Sequence, residues 1–291
     1  MSDSAPPDAT LQSASGSIPL DTDDTRGKHF RRLIVHPTTL ILAGITLVGA
    51  FIALAIAVSP GAGGGGAALV LLITVIIVWL VANARAKKDF FTAYAQARGL
   101  TWSGGQTNAP PVTSLMRKGD SQYMEQAFNG TLPGGLNGTL GWYTYEDEST
   151  DSEGNTETTY YKFTVAMSEL PETAKYIQEL AIQRRSGFRF MDSVEDKFRK
   201  RQRVEVESEV ADKHFEIFIG QNDDMNKARQ ILSPTFIVWL ADTAPDGFFF
   251  ELEAGSLVCA QKGQKKGAGE LDEICHGSSA VARRLVEEAR E

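Results

Sequence analysis

The chain has 291 residues, of which 42% are hydrophobic and 23% are charged, and its formal net charge is −8 at pH 7. Residues 89–291 carry a net charge of −10, which excludes the long-range attraction to phosphates on which nucleic-acid binding depends. The two cysteines, Cys259 and Cys275, are too few for a disulfide framework and favour a reducing compartment.

Residues 1–30 are predicted to form a disordered acidic tail. The first 25 residues contain five Asp and no Lys or Arg, and they are rich in Ser, Pro and Thr. Such a segment has too little apolar surface to fold by itself. A secretory signal peptide begins with a basic region followed by an apolar run, so this composition argues against one.

Two uncharged apolar runs follow, and they predict a transmembrane hairpin. Residues 37–58 would form transmembrane helix 1, because 22 residues span about 33 Å and a hydrocarbon core is about 30 Å thick. Residues 67–84 would form transmembrane helix 2. Residues 59–66, with the sequence SPGAGGGG, would form a Gly-rich extracytoplasmic turn between two antiparallel helices.

Small residues recur at four-residue spacing in the first run, at Gly49, Ala53 and Ala57. A stripe of small side chains lets two helices approach closely, so these residues form a predicted helix-packing face. Two partners for this face stay open. One is the second run of the same chain, and the other is a second copy of the protein in a homodimer.

The charges that flank the two runs predict the orientation of the hairpin. Four Lys or Arg residues lie between positions 26 and 32, the turn has none, and Arg85, Lys87 and Lys88 follow the second run. Under the positive-inside rule both termini lie in the cytoplasm. The sequence therefore predicts a multi-pass protein of the cell (inner) membrane, with the lipid bilayer as a partner.

After the hairpin, residues 85–99 predict a linker helix that ends at Gly99, and residues 100–291 predict a cytoplasmic domain. Strand patterns occupy 136–147 and 158–168, and a hairpin is predicted around Ala254 and Gly255. Apolar residues at helical spacing predict a final helix from about residue 269. The predicted fold class is an α+β domain with an antiparallel sheet, preceded by a transmembrane two-helix hairpin.

Catalytic, nucleotide-binding and metal-binding motifs are absent from the sequence, so we expect no enzyme activity, no cofactor and no metal. Two alternatives are weaker. The segment GQKKGAG at 263–269 is a basic turn that could place a phosphate at the start of the final helix. The alternating carboxylates Glu205, Glu207 and Glu209 could belong to an unrecognised active site, although such alternation usually marks the exposed face of a strand.

A basic run stands out from the acidic domain. Its members are Lys197, Arg199, Lys200, Arg201 and Arg203. One interpretation is contact with anionic lipid headgroups, at roughly 1 kcal/mol per basic side chain near the surface. The other is the solvated end of a helix, paired with neighbouring acids such as Glu195 and Glu205.

The chain also resembles a family of bacterial two-span integral membrane proteins to which no activity is assigned. The resemblance rests on the motif FFxxYAxxxGL at 90–100, on the stretch from Phe188 to Gly220 and on SPTFIVWLAD at 233–242. It implies a cytoplasmic α+β domain and supplies no functional residues. The function predicted from the sequence is a membrane-anchored cytoplasmic module for binding, scaffolding or regulation, with a protein partner or a homodimer. The alternative is a membrane-tethered enzyme.

Overall fold

The computed structural model describes residues 25–35, 63–185, 201–206 and 208–290. The helices in these ranges are α1 (Arg26–Val35), α2 (Gly63–Arg98), α3 (Glu209–His214), α4 (Met225–Ile231), α5 (Pro234–Asp242) and α6 (Ala268–Arg290). The strands are β1 (Thr101–Asn108), β2 (Ser121–Thr131), β3 (Asn137–Thr150), β4 (Thr156–Glu169), β5 (Glu179–Arg184), β6 (Arg201–Arg203), β7 (Phe215–Gly220), β8 (Phe249–Glu253) and β9 (Ser256–Lys262).

All nine of these strands form one sheet in the order β1-β2-β3-β4-β9-β8-β5-β7-β6, and every neighbouring pair is antiparallel. The longest pairing joins β3 to β4, with Thr139 opposite Met167 at one end and Thr150 opposite Thr156 at the other. Side chains alternate between the two faces of a strand, so each face of the sheet needs its own cover.

Helices cover one face of the sheet. The second half of α2 contributes Phe90, Phe91 and Tyr94, none of which is exposed to solvent. The Phe91 ring packs edge-on against Trp142, with the ring centroids 4.8 Å apart, and against Phe128 at 5.5 Å. Residues of α6 are buried in the same cluster. This helical face holds the larger of the two hydrophobic cores.

The connection between β1 and β2 covers part of the other face. We call residues 109–118 the strap. Antiparallel neighbours need only a short turn between them, but here the chain makes a longer excursion across the sheet and includes a 3₁₀ turn at Leu115–Arg117. Leu115 and Met116 of this turn are fully buried. They pack in a second cluster with Met124, Tyr143, Tyr145, Phe163, Val165, Val258 and Ala260.

Local sequence sets the ends of several elements. At the start of α4, the Asp224 carboxylate accepts a hydrogen bond from the Asn226 N–H at 2.8 Å, which caps the helix. Pro234 occupies the first turn of α5, where its missing N–H costs nothing. The helix α2 ends at Gly99, whose φ of +66° is the left-handed conformation in which glycine ends helices.

The predicted transmembrane hairpin is wrong. Within the described residues, no helix combines the length and the hydropathy that crossing a bilayer requires. Residues 67–84 are the first half of α2, which continues to Arg98 and places its second half in the core of the domain. Residues 63–66 of the predicted turn belong to the same helix. The sequence predicted that this run continues as helix toward Gly99, and the error lies in assigning its first half to a bilayer.

Three further predictions depended on that hairpin and are wrong with it. They are the fold class with a transmembrane hairpin, the location as a multi-pass membrane protein with both termini in the cytoplasm, and the function as a membrane-anchored or membrane-tethered module. The observed architecture is a large antiparallel sheet with helices. Residues 37–58 of the predicted first span lie outside the described residues, as do Gly49, Ala53 and Ala57.

Candidate functional site

The first half of α2 exposes an unusual amount of apolar surface. Among its residues whose burial is described, the large apolar side chains that are between 45 and 55% exposed are Leu72, Ile73, Val75, Ile76, Ile77, Trp79, Leu80 and Val81. Among the other described residues, the exposed large hydrophobic side chains are Tyr160 and Val238. Single exposed apolar residues are ordinary on a protein surface, but a contiguous group of this size marks an interaction surface.

The helix α1 covers one side of this region. The Phe30 ring packs edge-on against Trp79, with the centroids 6.5 Å apart. The Arg26 guanidinium donates a hydrogen bond of 2.6 Å to the side-chain oxygen of Asn83. Burial lowers the pKa of Arg26 from its ordinary value. These contacts show that α1 covers the side of α2 that carries Trp79 and Asn83.

The remaining apolar side chains include a regular stripe. Ile73, Ile77, Leu80 and Ala84 follow one another at spacings of four, three and four residues, and all four are exposed. Residues at this heptad spacing lie along one face of a helix. Because successive residues turn by about 100°, Ile77 points about 160° away from Trp79, which contacts α1. We call these four residues the apolar seam.

Charge begins directly after the seam. Residues 63–84 contain no charged side chain, and Arg85, Lys87 and Lys88 follow. The Lys87 ammonium lies over the Trp142 ring, 5.1 Å from its centroid, and 4.0 Å from a carboxylate oxygen of Glu125. Burial lowers the pKa of Lys87, and the Glu125 carboxylate opposes that shift. Lys87 therefore marks the boundary between the exposed half of α2 and the half packed on the domain.

A second notable group lies under the strap. The Glu251 side chain of β8 is 4% exposed, and one of its oxygens accepts a hydrogen bond of 2.8 Å from the Leu115 N–H. Its other oxygen, Oε1, has no hydrogen-bond partner, and neither does the buried hydroxyl of Thr113. Burial raises the pKa of Glu251, and the Leu115 N–H, the Arg201 guanidinium and the Thr113 hydroxyl act against that shift.

One ion pair, and a hydrogen bond from the arginine of a second ion pair, hold the strap to the sheet around that carboxyl. The Arg117 guanidinium donates to both carboxylate oxygens of Glu253, at 2.8 and 2.6 Å. The Arg201 guanidinium donates to Glu179 at 2.8 Å and to the Ser114 hydroxyl at 2.7 Å. The Tyr143 hydroxyl adds a hydrogen bond of 2.9 Å to the Leu115 carbonyl. Strap and sheet are thus joined by directional polar contacts above an apolar cluster.

Comparison with known proteins assigns no family. No model of a known protein family matches this chain, and no curated protein does either. A solved structure similar to it is that of the mycobacterial trehalose monomycolate transport factor A, TtfA, with a TM-score of 0.39 and 10% sequence identity over 68% of this chain and 91% of that chain. A likeness this weak supports no argument. The resemblance to two-span membrane proteins stays untested.

Part of the basic run is visible in the structure. The Arg201 side chain is turned into the protein, where it contacts Glu179 and Ser114, while Arg203 is exposed. Lys197, Arg199 and Lys200 lie outside the described residues. Arg201 is therefore engaged within the fold, and the proposed contact of the run with anionic lipid stays a prediction.

The other sequence candidates are not brought together. Glu205 and Glu209 are exposed, and Glu207 lies outside the described residues. At the start of α6, a Glu270 oxygen accepts hydrogen bonds from the N–H groups of Lys266 and Gly267. That carboxylate already occupies the position in which the sequence allowed a phosphate. Within the described part of the chain, no group of three or more His, Cys, Asp or Glu could hold a metal ion.

Sequence reasoning missed both groups that the structure brings forward. The seam has a readable signal, since the heptad spacing lies within residues 73–84, but the uncharged run around it favoured a different interpretation. Glu251 gave a misleading signal. In the strand sequence FFFELE it alternates with apolar residues, which is typical of an exposed position, and the strap that buries it comes from more than 130 residues earlier.

Proposed function

We propose that the protein is a non-catalytic assembly module, in which two copies pair through the apolar seam of α2. The observation that carries the proposal is the stripe of exposed side chains at heptad spacing in a stretch without charge. Helices with apolar residues at this spacing pair by fitting each side chain between residues of the facing helix. The pairing would join two antiparallel-sheet domains into one assembly.

A second copy suits this surface because the seam is symmetric. The spacing of four, three and four residues reads the same in both directions. In an antiparallel pair, Ile77 of one copy lies opposite Leu80 of the other, and Ile73 lies opposite Ala84. A two-fold interface of this kind uses the same patch on both subunits. It also brings no charged side chain into the centre of the contact.

Net charge favours the antiparallel arrangement over the parallel one. Residues 89–291 carry a net charge of −10 and follow the seam in the chain. In a parallel pair the two acidic domains would lie side by side and repel each other. In an antiparallel pair they lie at opposite ends of the paired helices, beyond the screening distance of about 8 Å at physiological salt.

The expected strength is moderate. Full burial of a large aliphatic side chain contributes about 1.5–3 kcal/mol, so a half-exposed one gains about half of that. Each copy would bury five such side chains, namely the three large seam residues with Ile76 and Val81. Over both copies of the pair, their burial would contribute roughly 7–15 kcal/mol. Association costs about 4–15 kcal/mol in lost freedom. We therefore expect a reversible pair that depends on protein concentration.

Cysteine cross-linking of the full chain tests the pairing. We would mix chains carrying Ile77→Cys with chains carrying Leu80→Cys and oxidise them under mild conditions. The antiparallel pair predicts a disulfide between the two kinds of chain, because a disulfide requires Cα atoms within about 7 Å. Ile73→Cys should not link to itself, since the two copies of residue 73 would be about 16 Å apart along the axis.

Val238→Cys supplies the matched control, because Val238 is also a half-exposed aliphatic residue but lies on α5. Linking of the mixture well above this control supports the proposal. Linking no greater than the control overturns it. Efficient self-linking of Ile73→Cys would overturn the antiparallel arrangement, since the two copies of residue 73 meet only in a parallel pair.

A further inference from the structure

The strap lies over the sheet in a way that depends on one carboxyl group. Glu251 is buried beneath it, and the Leu115 N–H of the strap donates to one carboxylate oxygen. The Thr113 hydroxyl also acts on the carboxyl, so both donors from the strap are neutral groups. Two neutral donors only partly offset the loss of hydration of a buried ionised carboxylate. The charge state of Glu251 should therefore affect how firmly the strap is held.

The hydrogen bonds described for the two nearby guanidinium groups go to other acceptors. The charged or titratable side chains that act on Glu251 or on its neighbours are Arg117 of the strap, Glu253 of β8, Arg201 of β6, Glu179 of β5 and Tyr143 of β3. Arg117 donates to Glu253, and Arg201 donates to Glu179 and Ser114. Arg201 still attracts the Glu251 charge, while Glu253 repels it.

Burial favours the uncharged form of Glu251. The Oε1 atom of Glu251 and the Oγ1 atom of Thr113 have no hydrogen-bond partner of good geometry, and the Thr113 hydroxyl is close enough to act on the carboxyl. That hydroxyl can donate to an ionised carboxylate, which lowers the pKa of Glu251, or accept from a protonated one. Desolvation is the larger influence, and only the protonated carboxyl avoids the cost of a buried charge.

We propose that the strap is a pH-dependent cover, which closes over the uncharged Glu251 carboxyl and loosens when that carboxyl gives up its proton to water. Opening would release the Leu115 N–H and expose the cluster that includes Met116, Tyr143 and Phe163. The contacts of Ser114 with Arg201 and of Arg117 with Glu253 lie on either side of Leu115 and would weaken together with it.

The direction of the effect follows from linkage. Burial raises the pKa of Glu251 in the closed state above its value in an open strap. The closed state then binds the proton more tightly than the open state does. The contribution of the Glu251 proton to closure is fully present at pH values below the open-state pKa. It is lost as the pH rises through the closed-state pKa. Above the open-state pKa, protection should fall by up to about tenfold per pH unit until the closed-state pKa is passed.

Hydrogen exchange of the full chain, measured by mass spectrometry between pH 5 and 9 and corrected for the intrinsic exchange rate, tests the proposal. We expect the protection of peptides covering residues 109–118 to decrease as the pH rises. Peptides from β4 report whether the sheet itself stays closed. In Glu251→Gln the amide keeps an acceptor for the Leu115 N–H but cannot ionise, so protection should no longer depend on pH.

Glu253→Gln is the control, because it weakens the contact with Arg117 without changing the group under the strap. It should lower the protection of the strap at every pH and keep a decrease with pH, which would end at a lower pH because the Glu253 charge no longer raises the pKa of Glu251. A wild-type strap whose protection is independent of pH would overturn the proposal. So would a Glu251→Gln variant with the wild-type slope, since the titrating group would then lie elsewhere.

Discussion

The two halves of α2 carry similar apolar side chains in opposite surroundings. In the second half, Phe90, Phe91 and Tyr94 are fully buried against the sheet. In the first half, eight large apolar side chains are about half exposed, and α1 packs along one side of them. The difference shows that apolar character does not by itself determine burial, since a covering element is needed as well. If a second copy covers the first half, both halves obey the same rule.

Truncation in the buried half should give the largest effect. Phe91 contacts Phe128, Trp142 and Trp102, and none of its surface is exposed. Phe91→Ala would leave a cavity among these rings and should lower the free energy of unfolding by about 3–5 kcal/mol. Urea denaturation of the full chain measures this change. A loss below about 1 kcal/mol would contradict the packing described for this half of the helix.

The polar anchor at the end of α2 should come next. The Asp272 carboxylate of α6 accepts hydrogen bonds from the Tyr94 hydroxyl at 2.9 Å and from two nitrogens of Arg98, at 3.1 and 2.5 Å. Asp272→Asn removes the charge that Arg98 pairs with. We expect a loss of about 1.5–3 kcal/mol, typical of hydrogen bonds to charged groups.

Tyr94→Phe separates the two contributions at that anchor, because it removes the neutral donor and leaves the ion pair intact. It should cost about 0.5–1.5 kcal/mol. Should Tyr94→Phe prove as damaging as Asp272→Asn in the same urea experiment, the ion pair with Arg98 would contribute little to holding α2 on α6.

Local elements of the sheet could be predicted from the sequence, because their signals are local. The alternation at 158–168 lies within β4, and the turn predicted at Ala254 and Gly255 joins β8 to β9, where both residues have positive φ. Gly99 ends α2 as expected. Each of these depends on the conformation of a few neighbouring residues, which composition and spacing report directly.

Features built from distant parts of the chain could not be predicted. The strand β1 has the sequence TWSGGQTN, which lacks apolar alternation, and its place at the sheet edge comes from pairing with β2. The burial of Glu251 depends on a strap more than 130 residues away. The hairpin prediction failed for a related reason, since hydropathy in a window does not show what covers an apolar helix.

Substitution of Lys87, at the boundary between the two halves of α2, should have little effect on the free energy of unfolding. Lys87 is half-buried, and the largest influence on its pKa is the desolvation that disfavours its charge. Lys87→Met removes that charge and keeps an unbranched side chain against Trp142, while Glu125 still accepts hydrogen bonds from Thr144 and Gln264. We expect the free energy of unfolding to change by less than about 1 kcal/mol.

The sign of the Lys87 effect can be checked by pH. A lysine whose folded-state pKa is lowered disfavours folding while it must be charged, and this effect fades as the pH rises through that pKa. Any gain from Lys87→Met should therefore be present at pH 7 and shrink above it. A gain that instead grows with pH would mean that the lysine is favourably placed.

The smallest change in stability should come from the seam, and there it is most informative. Ile77 is 55% exposed, so Ile77→Ser in the dilute single chain should change the free energy of unfolding by no more than about 0.5 kcal/mol. In a pair of copies, Ile77 becomes buried in both chains. At high protein concentration the wild-type chain should therefore become more stable, because a second copy binds the folded chain and not the unfolded one. The Ile77→Ser chain should lack this gain. Wild-type stability that does not vary with concentration would leave the first half of α2 without the partner proposed for it.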